Sequence, residues 1–184
     1  GISLNLAMGY TGLLNLGHVA FFGIGAYTSA LLTLQAGWPY ELSLLAAGAV
    51  AACFGFILIF AVRKLKGDYL ALATLGFSFV VYSVFLNWTS LTRGPLGIPG
   101  IPKPEIFGMI IRTNWMYLIF AALLTILVFV VLLRVTSSRY GKLLEAVRDD
   151  EIGLSVLGKN IFRLKAQSMM ISAFFAGAAG SLFA

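Results

Sequence analysis

The chain is poor in charge, in cysteine and in histidine. Of its 184 residues only 11% are Asp, Glu, Lys or Arg, and Cys53 and His18 are the sole members of their kinds. A soluble domain carries roughly 25% charged residues, so an ordinary water-facing surface is excluded. One cysteine excludes an internal disulfide and a thiolate zinc cluster. His18 has no second histidine, cysteine or carboxylate nearby in sequence, so no metal site is expected. Nucleotide motifs are also missing. "GIGAYT" at 23–28 opens like a dinucleotide fingerprint but follows no strand, and "LGKN" at 157–160 lacks the first Gly and the Ser/Thr of a phosphate loop. The carboxylates fall in loops, so no Ser/His/Asp set can be assembled. We therefore expect no cofactor and no covalent chemistry; any ATP would be bound by another chain. There is no initiator Met and no basic signal-peptide start. Residues 1–184 read as a fragment of a single polytopic domain.

Apolar residues are abundant. They make up 60% of the chain, and mean hydropathy is +0.95. The uncharged windows 42–62, 69–92, 113–133 and 166–184 are each long enough, at about 1.5 Å per residue, to cross much or all of a hydrocarbon core of roughly 30 Å. Residues 1–40 form one uncharged stretch, too long for a single span, and a broken helix over about 1–34 is expected there. The expected fold is an all-α polytopic transmembrane helix bundle in membrane lipid, with a broken first helix and a short helical loop at 134–165.

The net charge of +6 points to loops at a membrane surface, not to nucleic acid. Residues 63–68 and 134–165 hold ten basic side chains, whereas 35–41 and 93–112 hold three. The positive-inside rule places the first pair in the cytoplasm. All three tryptophans, Trp38, Trp88 and Trp115, then fall at outer ends, where aromatic rings anchor helices. The outer loop at 93–108 has four prolines and four glycines, so it is not a continuous helix. It is either a surface lid or a plain connector. Ala47, Ala51 and Gly55, and likewise Ser172, Ala176 and Gly180, form small-residue stripes that let helices approach closely.

"GYTGLLNLGH" at 9–18 interrupts the first stretch. Gly9, Gly12 and Gly17 weaken the helix, while Thr11, Asn15 and His18 offer hydrogen bonds. Irregular backbone at membrane depth is tolerated where protein or a cavity surrounds it, and broken helices often mark transporter substrate sites. The six residues are candidates for a substrate path near the bundle centre. A short structural turn is the other reading, and His18 fits either.

"SSRYGKLLEAVRDDEIGLSVLGKN" at 137–160 is the second signal. Leu143, Leu144 and Val147 share a helical face. Asp149 or Asp150 can cap a second helix, "EIGLSVL", with Gly158 at its end. Such a pair reads as a docking knob for a cytosolic partner, or as a helix lying on the inner leaflet.

Three stretches carry a family resemblance: "LNLAMGYTGLLNLGHVAFFGIGAYTSALL", "LKGDYLALATLGF" with "NWTSLTRGPLGIPGIP", and "SRYGKLLEAVRDDEIGLSVLGKNIFRLK". Together they resemble the permease subunit of bacterial ABC importers for branched-chain amino acids. The resemblance implies a multi-pass subunit of the bacterial inner membrane that pairs with a homologous second permease. It also implies two cytosolic ATPase subunits and an external substrate-binding protein. Glu145, Ala146 and Val147 fall near the centre of the family's coupling segment, with Leu143, Leu144, Gly153 and Gly158 around them. The general importer pattern has a Gly after Glu-Ala-Ala and three further residues; here that position is Glu151. Permeases for urea and short-chain amides are similar. A passive channel for a small neutral solute and a non-transporting scaffold are the readings from other classes.

Overall fold

The computed structural model describes residues 1–65, 67–98, 100, 105–106, 109–110 and 114–183, with backbone alone at 105, 106, 109, 110 and 114. A short helix Ile2–Asn5 (α1) widens into a π-helical turn over Leu6–Tyr10, and the chain then runs irregularly to Gly17. His18–Ala36 (α2), Tyr40–Ala61 (α3) and Asp68–Asn87 (α4) follow. Beyond them come Thr89–Thr92 (α5), a 3-10 turn at Gly94–Leu96, and Asn114–Ser137 (α6). Arg139–Asp149 (α7), Glu151–Val156 (α8) and Ile161–Phe183 (α9) complete the chain. Among the described residues, α2, α3, α4, α6 and α9 are long and apolar enough to span a membrane. The fold is an all-α polytopic bundle. Glu105–Ile106 (β1) and Met109–Ile110 (β2) form one two-residue antiparallel pair, with Glu105 opposite Ile110.

Uncharged windows locate the spans, and local chemistry moves their ends. α9 starts at Ile161, five residues before the uncharged window, and takes in Arg163 and Lys165. Long basic side chains can lie along a helix while their heads reach the interface. α4 stops at Asn87, whose Nδ2 donates to Ser83 O at 2.8 Å. Gly37, at φ +63, closes α2 with its N–H on Leu32 O. The lid reading of the outer loop depends in part on Ile101 and Phe107, which lie outside the described residues.

α9 is the most buried span and α6 the least. α9 packs between α2 and α3, and its small residues set the spacing. A Cβ on Gly25 would lie 2.1 Å from Gly177 O, and one on Gly177 would lie 2.5 Å from Ala51 Cβ. Both stripes read from the sequence take part. Gly55 faces Ala173, and Gly180 faces the backbone of Phe22. Around them, Phe21, Ile24, Leu58, Ile59, Met169 and Ala173 form the main apolar core. A second cluster of Leu6, Leu132 and Leu144 joins the first segment to α6 and α7.

The loops at 62–65 and 138–160 share one end of the bundle, hereafter the basic end; the α2–α3 turn and Trp88 mark the other. Single cysteines in a Cys53→Ala background test this arrangement. Lys64→Cys and Ser155→Cys, both at exposed positions, should react only with reagent on the cytoplasmic side. Gln35→Cys and Leu96→Cys, also exposed, should react only from outside. Reversed labelling would overturn the orientation.

Candidate functional site

The interruption after Tyr10 is held by side chains from three other parts of the chain. Thr11 is buried, and its Oγ1 donates to Leu6 O at 3.1 Å and lies 2.6 Å from Ser168 Oγ of α9. Ser172 Oγ donates to Ser3 O at 2.5 Å. Asn15 is buried as well; its Oδ1 accepts Gly17 N–H at 3.0 Å, and its Nδ2 donates to Met169 Sδ at 3.6 Å. Thr74 of α4 reaches in from the opposite side, its Oγ1 accepting Leu16 N–H at 3.0 Å. These contacts satisfy backbone groups released where the regular ladder stops, as low-dielectric surroundings require. The wide turn itself closes with Leu13 N–H on Ala7 O at 3.0 Å.

His18 opens α2. Its Nε2 lies 3.0 Å from Ser3 Oγ, while Nδ1 is buried with no hydrogen-bond partner among the described residues. Gly17 is buried, and a Cβ there would lie 2.3 Å from Thr74 O. Gly12 is exposed at φ +69, a conformation suited to glycine. Gly9 is half-buried. The six candidate residues thus lie on one continuous segment, but they differ in access. Thr11 and Asn15 are engaged inside the protein, whereas Gly12 is exposed and His18 is half-buried. Ser168 is seven residues from the start of α9, and Thr74 is six from the start of α4. At about 1.5 Å per residue the break lies about 10 Å inside the basic end and about 6 Å from the midpoints of α4 and α9, nearer the bundle centre than that end.

The inner loop contacts this break directly. Arg148 Nη1 donates to Gly9 O at 2.6 Å, and Arg148 Nε pairs with Asp149 at 3.1 Å. The stem of Arg148 lies over Gly12, where a Cβ would come within 2.8 Å of Arg148 Cγ. Ser138 caps α7 by accepting the N–H groups of Tyr140 and Gly141. Asp150, of the two candidates, caps α8 by accepting Gly153 N–H at 2.9 Å. Gly158, at φ +73, follows the helix end. Glu151 pairs with Lys165 of α9. Burial raises the Tyr140 pKa to about 12, which keeps its hydroxyl neutral in the second apolar cluster.

The face expected to dock a partner is oriented differently from the sequence reading. Leu144 and Val147 are fully buried, at 0% exposure, against the bundle, and so are unavailable to a cytosolic protein. Leu143 and Ala146 are half-buried, and Glu145 is exposed. Helical periodicity identifies an apolar face, but in α7 that face points into the protein. The outward apolar surface is on α8 and just beyond it, where Ile152, Val156 and Leu157 are 76%, 82% and 74% exposed. The i, i+4 spacing of Ile152 and Val156 was a signal available in the sequence. So were Thr74, Ser168 and Ser172, polar residues inside apolar windows.

Comparison with known proteins follows the same chain from end to end. A family model described as "Branched-chain amino acid transport system / permease component" matches residues 1–184. The high-affinity branched-chain amino acid transport system permease proteins LivM of Salmonella typhimurium and Escherichia coli are each 41% identical over 100% of the chain and 49% of their own length. A probable branched-chain amino acid transport permease protein LivM of Methanocaldococcus jannaschii is 25% identical over 99% of the chain and 62% of its own length. The chain therefore spans about half the length of the first two relatives. No solved structure matches it. With the family pattern running through every span and through the inner loop, the chain belongs to the permease-component family of branched-chain amino acid transport systems.

Proposed function

We propose that this chain forms the membrane-spanning core of a permease subunit in an ATP-driven importer of branched-chain amino acids. The match to permeases named for branched-chain amino acid transport, along the whole chain, carries this reading. The importer resides in the bacterial cytoplasmic membrane. A homologous second permease completes the path, two cytosolic ATPases supply energy, and an external binding protein delivers substrate. This subunit does no covalent chemistry. The surface formed by Ile152, Val156 and Leu157, with Glu145 nearby in the loop, docks an ATPase, while Leu144 and Val147 anchor that surface to the bundle. Leu143 and Ala146 lie at the edge of the contact. Gly153 accommodates the Asp150 cap, and Gly158 ends the knob.

The break at 9–18 contributes to the path through its accessible parts. Gly9 and Gly12 lie beside Arg148, so movement of the docked loop reaches the break without an intermediary. His18 ties the start of α2 to α1 through Ser3 Oγ, and Thr11, Asn15 and Gly17 hold the segment in shape. Weak polar contacts suit a permease, which must release its cargo.

Reconstitution of the full-length permease with its second permease, ATPases and binding protein tests this function. Leucine uptake should require both ATP and the binding protein, with isoleucine and valine competing. Val156→Asp forces a charge into an apolar contact. It should lower ATPase co-purification and uptake by about tenfold or more, because each 1.4 kcal/mol is a factor of ten. Uptake without ATP would favour a passive channel, and competition by urea alone would move the substrate to amides. Full uptake and co-purification in Val156→Asp would remove the docking role of α8.

A further inference from the structure

A cleft of about 230 Å³ opens at the basic end between the first-helix break and the ends of α3, α4 and α9. Its wall is aliphatic and aromatic, from Leu13, Ile59, Val62, Leu70 and Phe162. Its rim carries Arg63, Lys165 and Glu151. Lys165 and Glu151 pair with each other, so among the described rim residues Arg63 is the cation outside that pair. No ion pair of Arg63 falls among the described residues. Its guanidinium instead lies 4.8 Å from the centroid of the Phe60 ring. Phe60 is 51% exposed, and it meets Phe162 edge-on at 6.3 Å. An aromatic path thus joins the outer surface of α3 to the cleft.

We propose that this cleft is a binding site for an anionic phospholipid, with the phosphate on Arg63 and part of an acyl chain against Leu13, Ile59, Val62, Leu70 and Phe162. The position of the cleft supports this occupant. It lies where the spans end and the basic loops begin, the depth at which headgroups and upper acyl carbons occur, and basic pockets between helices at that level suit lipid headgroups. Its chemistry is amphipathic in the same sense as a lipid, charged at the rim and apolar within. A purely polar anion would leave the apolar wall without a partner. A neutral hydrocarbon would make no use of the Arg63 charge. The site also borders two parts of the proposed coupling machinery, since Leu13 belongs to the break and Glu151 to α8. Lipid in the cleft would hold these two elements against α3 and α9.

The test uses the full-length permease purified in detergent, with lipid binding followed by native mass spectrometry and by thermal protection. Phosphatidylglycerol should bind at least about fivefold more tightly than phosphatidylethanolamine, the scale expected for one well-placed cation at a lipid surface. Arg63→Gln should remove that preference. Lys64→Gln removes a neighbouring exposed charge that does not line the cleft, and it should weaken phosphatidylglycerol by about twofold at most. Glycerophosphoglycerol, the headgroup without chains, should give no protection. Equal binding of the two lipids, or a preference that survives Arg63→Gln, would overturn the site. So would an equal loss in Lys64→Gln, which would mean diffuse surface charge. Full protection by glycerophosphoglycerol would overturn the acyl part of the proposal, because a phosphate alone would then suffice.

Discussion

Gly25→Val should leave little folded permease. Even a methyl at this position would sit 2.1 Å from Gly177 O and 2.4 Å from Gly177 Cα. Those are backbone atoms of the central helix, so no rotamer change relieves the overlap. α9 cannot retreat, because Gly177 on its other side is already closed in by Ala51 and Ala47 O. Overpacking a dense core typically costs 1–3 kcal/mol, and a rigid backbone contact should bring this to about 3 kcal/mol or more. That is a large fraction of a stability of roughly 5–15 kcal/mol. The monodisperse fraction on size-exclusion chromatography should collapse, and the surviving protein should melt many degrees lower. Gly76→Val is the matched control, since a Cβ on Gly76 meets nothing within 4 Å. It should stay near the parent, and similar melting of the two variants would mean that α2 and α9 are not in backbone contact.

Leu144→Asp should release the inner loop from the bundle. Leu144 is fully buried in the apolar cluster with Leu6 and Leu132. Losing the leucine side chain costs 2–5 kcal/mol, and the unpaired carboxylate adds to it. A total of about 4 kcal/mol shifts the ratio of packed to released loop by roughly a thousandfold. Limited proteolysis should then cut within 138–160 at protease levels that spare the parent, and transport should be lost. Glu145→Lys, one residue away but exposed, should keep protease resistance and the melting temperature. A purely external docking role for Leu144 would give the opposite pattern, with normal resistance and lost ATPase binding.

These two residues show how far the sequence carries the fold and where it stops. The small-residue stripes were legible because close helix approach requires missing side chains. Which stripe meets which helix was not, since many pairings satisfy the same spacing. In the loop, the spacing of Leu144 and Val147 identified a face, but periodicity cannot say whether a face meets solvent, partner or the chain's own core. The break at 9–18 was visible from Gly9, Gly12 and Gly17 among polar neighbours. Its hydrogen-bond partners, Thr74 and Ser168, come from helices far along the chain, and only three-dimensional packing brings them together. The contact between Arg148 and Gly9 O was hidden for another reason, since a backbone carbonyl leaves no trace in a sequence.

The partners of the first segment also set an order of events during biogenesis. Thr11 and Ser168 are 157 residues apart, and Ser3 and Ser172 are 169 apart. At a synthesis rate of about 5–20 residues per second, the nascent segment carrying Ser3 and Thr11 waits roughly 10–30 s for α9. Throughout that interval Thr11 and the backbone of Ser3 lack their partners on α9. The small-residue faces of α2 and α3 wait as well. Unsatisfied polar groups are costly in hydrocarbon, so the growing chain is held either within the insertion machinery or near water until its central helix arrives. Quality-control proteases that survey half-made membrane proteins would meet their substrate in this window, before a single span of the finished bundle is out of place.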